Sequence, residues 1–138
     1  MSRESIEDEI SRLVQELRRH GLRVTAQRIA IARIVLESIK DHPSFMEILE
    51  RARREVPNIS PSTVYNNLQL LERLGFVRSF SVRGETRYDN VHRHINIVCS
   101  ESGKVYDLED AEATEAIMKL LEEKVGAKVE NVIVYAKC

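Results

Sequence analysis

Apolar positions along this chain recur at helical spacing as far as Gly75 and alternate in short runs thereafter. Ile6, Ile10, Leu13, Val14 and Leu17 fall on one side of a helix predicted over Ile6–His20, which Gly21-Leu-Arg-Val breaks. Thr25 then caps a second helix, Ala26–Lys40, with Ile29, Ala32, Ile34, Val35 and Leu36 as inward candidates. Asp41-His42-Pro43 interrupts it, and Ser44 caps a third helix, Phe45–Glu55, whose apolar members are Phe45, Ile48, Leu49 and Ala52. Val56-Pro-Asn-Ile-Ser is a tight turn into a fourth. There Ser60 is a good N-cap, Pro61 suits the first helical position and Gly75 is a natural stop. Val64, Leu68, Leu71 and Leu74 give that helix one apolar face.

Beyond Gly75 the period changes. Phe76-Val-Arg-Ser-Phe-Ser-Val alternates loosely, Arg83-Gly84-Glu85 is expected to turn, and Thr86-Arg-Tyr-Asp returns. Three helices followed by a hairpin describe a winged helix-turn-helix. His92–Cys99 is a predicted strand with Ile95, Ile97 and Cys99 on one face and His92, His94 and Asn96 on the other. Ser100-Glu-Ser-Gly103 turns it into a return strand, Lys104–Leu108. A helix over about Ala111–Val125 follows, with Ile117, Leu120, Leu121 and Val125 expected inward, and Val129–Tyr135 makes a last strand. The fold class is therefore α+β: an N-terminal winged helix-turn-helix followed by a small α/β unit. That β-β-α-β unit is too small to bury its apolar faces alone, so pairing with a second copy is expected.

The polar face of the fourth helix changes the picture most. Ser62, Thr63, Tyr65, Asn66 and Gln69 are uncharged hydrogen-bonding groups, whereas an ordinary solvated face would more often be rich in Lys and Glu. With Ser60 they suit the contacts a recognition helix makes to base edges and phosphates. Arg23 and Arg28 are candidates for phosphate contact. Arg78, Arg83 and Arg87 either arm the wing for phosphate or minor-groove contact or are plain solvated hairpin residues. The overall charge of −1 hides a gradient. Residues 1–83 carry 14 Lys and Arg against 11 Asp and Glu, a net of +3, and residues 84–138 carry 7 against 11, a net of −4. A basic first half fits a polyanionic partner. No run is long and apolar enough to span a membrane, and the first residues are acidic and polar, so a soluble cytoplasmic protein is expected.

Gly21-Leu-Arg-Val-Thr-Ala-Gln-Arg28, His42-Pro43, Ser60-Pro-Ser-Thr-Val-Tyr-Asn-Asn-Leu68, the pair His92/His94, Cys99 and Gly103-Lys-Val-Tyr-Asp107 occur in the order and spacing of the ferric uptake regulator family, which the chain resembles over nearly its whole length. The resemblance implies a homodimeric, metal-responsive transcriptional repressor that binds a double-stranded DNA operator, and not an enzyme. It implies a winged-helix DNA-binding domain over 1–83, a wing end and hinge over 84–91, and a dimerisation domain over 92–138. One regulatory divalent metal per subunit would sit at the hinge as co-repressor, with His42, Asp89, His92, His94 and Asp107 as its ligands. Imidazole plus carboxylate suits Fe²⁺, Mn²⁺, Zn²⁺ or Ni²⁺. An aspartate at the position of Asp89 leans toward the family's peroxide-sensing members, and iron, manganese and zinc sensing stay open beside it.

The chain also departs from the family. Counting back from Cys99, the last strand histidine of the family falls on Asn96 and the preceding one on His94, so either His92 replaces the missing ligand or Asn96 occupies its place. Arg93, Ile95 and Thr114 stand where ligands of a second metal site would be. Of the two C-x-x-C pairs that hold a structural zinc, Cys99 and Cys138 keep one member each. Two thiolates do not complete a Cys₄ tetrahedron, so that zinc is not expected. Plain thiols are the default reading of Cys99 and Cys138, and a redox-sensitive pair is the other. A metallohydrolase using His42, His92, His94 and Asp107 finds no H-E-x-x-H or evident activating base. The serious alternative is a metal-independent or thiol-redox-switched winged-helix transcription factor.

Overall fold

The computed structural model describes residues 3–91 and 94–138, and the chain divides into two compact units, Met1–Val91 and His92–Cys138. In the first unit, α1 (Arg3–Arg19), α2 (Ala26–Ser38), α3 (Phe45–Glu55) and α4 (Pro61–Arg73) precede a hairpin of β1 (Arg78–Val82) and β2 (Glu85–Asp89). α2 packs against α1, α3 and α4. The core contains Leu13, Leu17, Ile31, Val35, Ile48, Leu49, Val64 and Leu68, the apolar stripes of all four helices turned to one centre. Arg12 of α1 lies over the Phe76 ring, 4.8 Å from its centroid, and so closes the unit behind α4.

The helix boundaries follow from their caps. Thr25 accepts from the Arg28 N–H, and Ser44 and Glu47 form a reciprocal capping box at the start of α3. At the end of α4 the chain passes through Gly75 at φ 82°, and the Phe76 N–H donates to Leu71 O at 2.9 Å. Two expectations shift. Helix α2 ends at Ser38 rather than Lys40, because Ile39–Asp41 tightens into a single 3₁₀ turn. The wing turn contains two residues, Arg83 and Gly84, not three, since Val82 pairs directly with Glu85. Both turn residues have positive φ (51° and 79°), which matches the twist of the flanking strands.

In the second unit β3 (Ile95–Cys99) is the middle of a sheet ordered β4-β3-β5, with β4 (Val105–Asp107) antiparallel and β5 (Val132–Ala136) parallel to it. α5 (Ala111–Val125) is capped by Asp110 and stopped by Gly126. His92 and Arg93 lie outside the described residues, and His94 immediately precedes β3. Three corrections follow here. β4 is shorter than expected, its pairing ending where the Leu108 N–H donates to Ile95 O. α5 buries Thr114 and Met118, while Ile117, Leu120 and Val125, read as inward, are exposed. Cys99 and Cys138 are not plain thiols but form a disulfide, Cα–Cα 4.8 Å. The register Cys99↔Ala136 explains it: two residues further along β5's direction the chain is back beside Cys99, where the Ser102 N–H donates to Cys138 O.

Candidate metal centre and DNA-reading face

His42 and Asp89 come together through backbone pairing. Ser44 and Arg87 form an isolated antiparallel bridge, and the Tyr88 N–H donates to Pro43 O at 3.0 Å. Extending that register by two residues sets His42 opposite Asp89. His42 Nε2 lies 3.6 Å from Asp89 Oδ1, with both side chains almost fully buried. One oxygen of Asp89 also accepts from the Asn90 N–H at 2.9 Å. A buried carboxylate requires charge compensation. His42 itself adopts the left-handed region (φ 50°, ψ 57°), an uncommon state for a residue with a side chain and one that concentrates at functional sites.

The second unit builds a similar pair from its sheet. Asn96 faces Asp107 across the β3–β4 register, and His94, two residues before Asn96, lies 3.6 Å from Asp107 Oδ1 through its Nε2. Asn96 is completely buried between its neighbouring strands. A separation of 3.6 Å exceeds a normal hydrogen bond. It is near the edge of roughly 3.4 Å that two ligands subtend on a tetrahedral ion with bonds of about 2.1 Å. Each pair therefore has the donor types and spacing of two ligands sharing one cation. His92, the remaining expected ligand, lies outside the described residues.

Of the DNA-reading candidates, Arg23, Arg28, Thr63 and Asn66 line one open hollow, Ser60, Ser62 and Tyr65 are exposed on or beside α4, and Arg78 is on the wing. Ser60 caps α4 by accepting from the Thr63 N–H, and its hydroxyl also meets those of Thr63 (2.8 Å) and Ser62 (3.2 Å). Tyr65 is exposed but ordered by two neighbours: Gln69 Nε2 donates to its hydroxyl at 2.9 Å, and Phe45 meets its ring edge to face. Between the start of α2 and α4 lies an open hollow of about 370 Å³ lined by Arg23, Gln27, Arg28, Thr63, Asn66 and Asn67. Arg28 Nη1 donates to Arg23 O across its rim. The wing arginines differ among themselves. Arg83 is exposed at the tip, Arg78 is half-buried and donates to Val91 O, and Arg87 is turned toward His42 and Glu47 rather than outward. Burial pushes the Tyr88 phenol up from its ordinary value, with Glu72 and Tyr65 adding to the effect.

The profile of the ferric uptake regulator family matches residues 19–136. The chain belongs to the ferric uptake regulator family. Within it, the chain is 37% identical over 114 residues to the peroxide-responsive repressor PerR of Staphylococcus aureus, covering 81% of this chain and 76% of that one. The Helicobacter pylori ferric uptake regulator Fur, whose structure has three functional metal-binding sites, superposes with a TM-score of 0.76 at 27% identity, covering 96% of this chain and 91% of that one. The Campylobacter jejuni peroxide stress regulator superposes with a TM-score of 0.70 at 33% identity, covering 91% and 96%. As a ferric uptake regulator family protein the chain is a metal-responsive, DNA-binding transcriptional regulator and not an enzyme. The winged helix-turn-helix and small α/β unit expected from the sequence are the architecture of this family.

Two residues with a place at the site were not singled out from the sequence as such. Glu47 and Arg87 hold the segment that carries His42. Ser44 was legible as the cap of α3, but nothing in linear order links Ser44 or Glu47 to Arg87.

Proposed function

We propose that His42 and Asp89 from the first unit and His94 and Asp107 from the second supply the ligands of one regulatory divalent cation per subunit, with this chain acting as a homodimeric repressor at a DNA operator. The observation that carries the reading is the pair of His–Asp contacts, each at 3.6 Å and each with donors suited to Fe²⁺, Mn²⁺, Zn²⁺ or Ni²⁺. Held there, a divalent cation would supply Lewis-acid coordination to His42 and Asp89 from the first unit and to His94 and Asp107 from the second. His42 and Asp89 are rigid partners in that coordination, fixed by the 3₁₀ turn and β2. The boundary near residues 84–91 then acts as the hinge whose setting decides whether two copies of α4 meet successive major grooves.

Ser62, Thr63, Tyr65 and Asn66 would read or position bases, with Arg23, Arg28 and Ser60 on the phosphates. The exposed apolar residues of the second unit, among them Tyr106, Ile117, Leu120 and Val134, support pairing with a second copy. No described helix is long and apolar enough to cross a membrane, in keeping with a cytoplasmic regulator. Asp89 in the wing and the likeness to a peroxide-responsive repressor favour peroxide as the signal read through iron.

The test is fluorescence anisotropy with an operator selected from a random DNA pool, at fixed salt, with chelator, Mn²⁺, anaerobic Fe²⁺ or Zn²⁺. Affinity should rise with one of these metals and fall after peroxide treatment of the Fe²⁺ form, with a 16 Da gain on a peptide containing His42 or His94. His94→Ala should fold normally and bind the operator equally with and without metal. Tight specific binding by the parent that ignores every metal would remove the reading.

A further inference from the structure

Arg87 is two residues before Asp89 on β2, and the alternation of a strand puts both side chains on the same face. Its guanidinium is occupied by groups of its own unit. Nη1 donates to the His42 carbonyl oxygen at 3.1 Å and to Glu47 Oε1 at 3.2 Å, while Nη2 lies 3.0 Å from Glu85 Oε1. Glu47 is in turn fixed by the capping box of α3, where the Ser44 hydroxyl donates to Oε1 at 3.2 Å. The side chain is mostly covered, and Nη1 is directed at the segment before α3 and the first turn of α3, while Nη2 pairs along β2 with Glu85.

His42 needs that support. Its left-handed backbone is disfavoured for a residue with a Cβ, and relaxation of the peptide joining His42 to Pro43 would swing the imidazole away from Asp89. The His42 N–H is anchored to Ile39 O at 3.1 Å, and Arg87 anchors the carbonyl on the other side. Both peptide planes flanking the imidazole are therefore held, one by the 3₁₀ turn and one by the wing. We propose that Arg87 is a positioning residue for the metal-ligating pair, holding His42 in its strained backbone state opposite Asp89 through the His42 carbonyl and Glu47. The proposal rests on the reading of His42 and Asp89 as ligands. It assigns Arg87 to metal affinity instead of DNA phosphate contact, the role its place on a wing would suggest.

The experiment uses the full chain and Co²⁺ as the probe, with affinity measured by competition against a chromophoric chelator and the ligand field read from the visible absorption bands. Arg87→Met should weaken Co²⁺ binding by about 10–100-fold, the range for loss of a group that orients a ligand, and should shift the visible bands. Arg87→Lys keeps the charge but not the fork, and should weaken binding at least threefold. It also serves if circular dichroism shows that Arg87→Met does not fold. Glu85→Gln removes only the outer ion pair and should stay within twofold of the parent. His42→Ala is the reference that tests the ligand reading itself. If His42→Ala loses affinity while both Arg87 variants stay within twofold of the parent, the positioning role is wrong and the ligand reading stands. If His42→Ala also binds as the parent does, both fail. Unchanged Co²⁺ affinity with weaker metal-free binding to nonspecific DNA and a shallower salt dependence would instead make Arg87 a phosphate contact.

Discussion

Tyr65 projects from α4 with about half its surface exposed (48%), yet it is not free to rotate, being held by Gln69 on its hydroxyl and Phe45 on its ring. A preorganised aromatic group with a hydroxyl loses little entropy on contact, which suits it to read a base edge. Tyr65→Ala should weaken specific operator binding by roughly 1–3 kcal/mol while changing affinity for scrambled DNA much less, as measured by paired anisotropy titrations. Tyr88, buried on the wing beside Asp89, gives a stability prediction at alkaline pH. Its phenol is raised first by burial and then by Glu72 and Tyr65, so the folded state keeps the proton at a pH where the unfolded chain has lost it. Its contribution is fully present below the ordinary phenol pKa of about 10, and is lost as pH rises from there through the higher folded value. Urea midpoints followed between pH 8 and 11 should fall less steeply for Tyr88→Phe than for the parent.

Among the elements, β3 and β5 show how the second unit holds itself together. They pair in parallel, and the Cys99–Cys138 disulfide closes a segment with a sequence separation of 39 that takes in β4, α5 and β5. None of the side chains on β5 is fully buried, so packing alone anchors that strand weakly. On the chain-entropy account a loop of that length stabilises by roughly 4 kcal/mol. Cys138→Ser should therefore lower the stability of the second unit by about 3–4 kcal/mol in denaturant titrations, an effect reproduced by reducing the parent. Equal stability of oxidised and reduced parent would show that packing suffices.

Over the whole molecule, the second unit leaves apolar surface that this chain does not cover. The in-register row Tyr106, Ile97 and Val134 crosses the sheet with Tyr106 and Val134 exposed, and Leu120 and Val125 project from α5. Exposure of that kind marks an association surface, and a symmetric dimer would present the same patch from both copies. Val134→Glu places a charge in that sheet row and should move the protein from dimer to monomer in sedimentation at micromolar concentration. Operator affinity should fall with it, because two half-sites are then no longer bound together. A dimer unchanged by this substitution would place the association surface elsewhere.

The sequence by itself determined the helices of the first unit, the uncharged polar face of α4 and the hairpin that follows it. These rest on local signals: a period of 3.6, Ser and Thr caps, and a glycine where φ must be positive. The resemblance to the ferric uptake regulator family, carried by motifs in linear order, pointed to His42, Asp89, His92, His94 and Asp107 as ligands. Only the tertiary structure decided what depends on pairing between distant segments. The Ser44↔Arg87 bridge sets His42 opposite Asp89 and turns Arg87 inward, and the parallel register of β5 on β3 brings Cys138 to Cys99. The buried face of α5, Thr114 and Met118, was hidden for the same reason. A helix with apolar residues on more than one side does not say which side its own chain will cover, and that choice is made by packing.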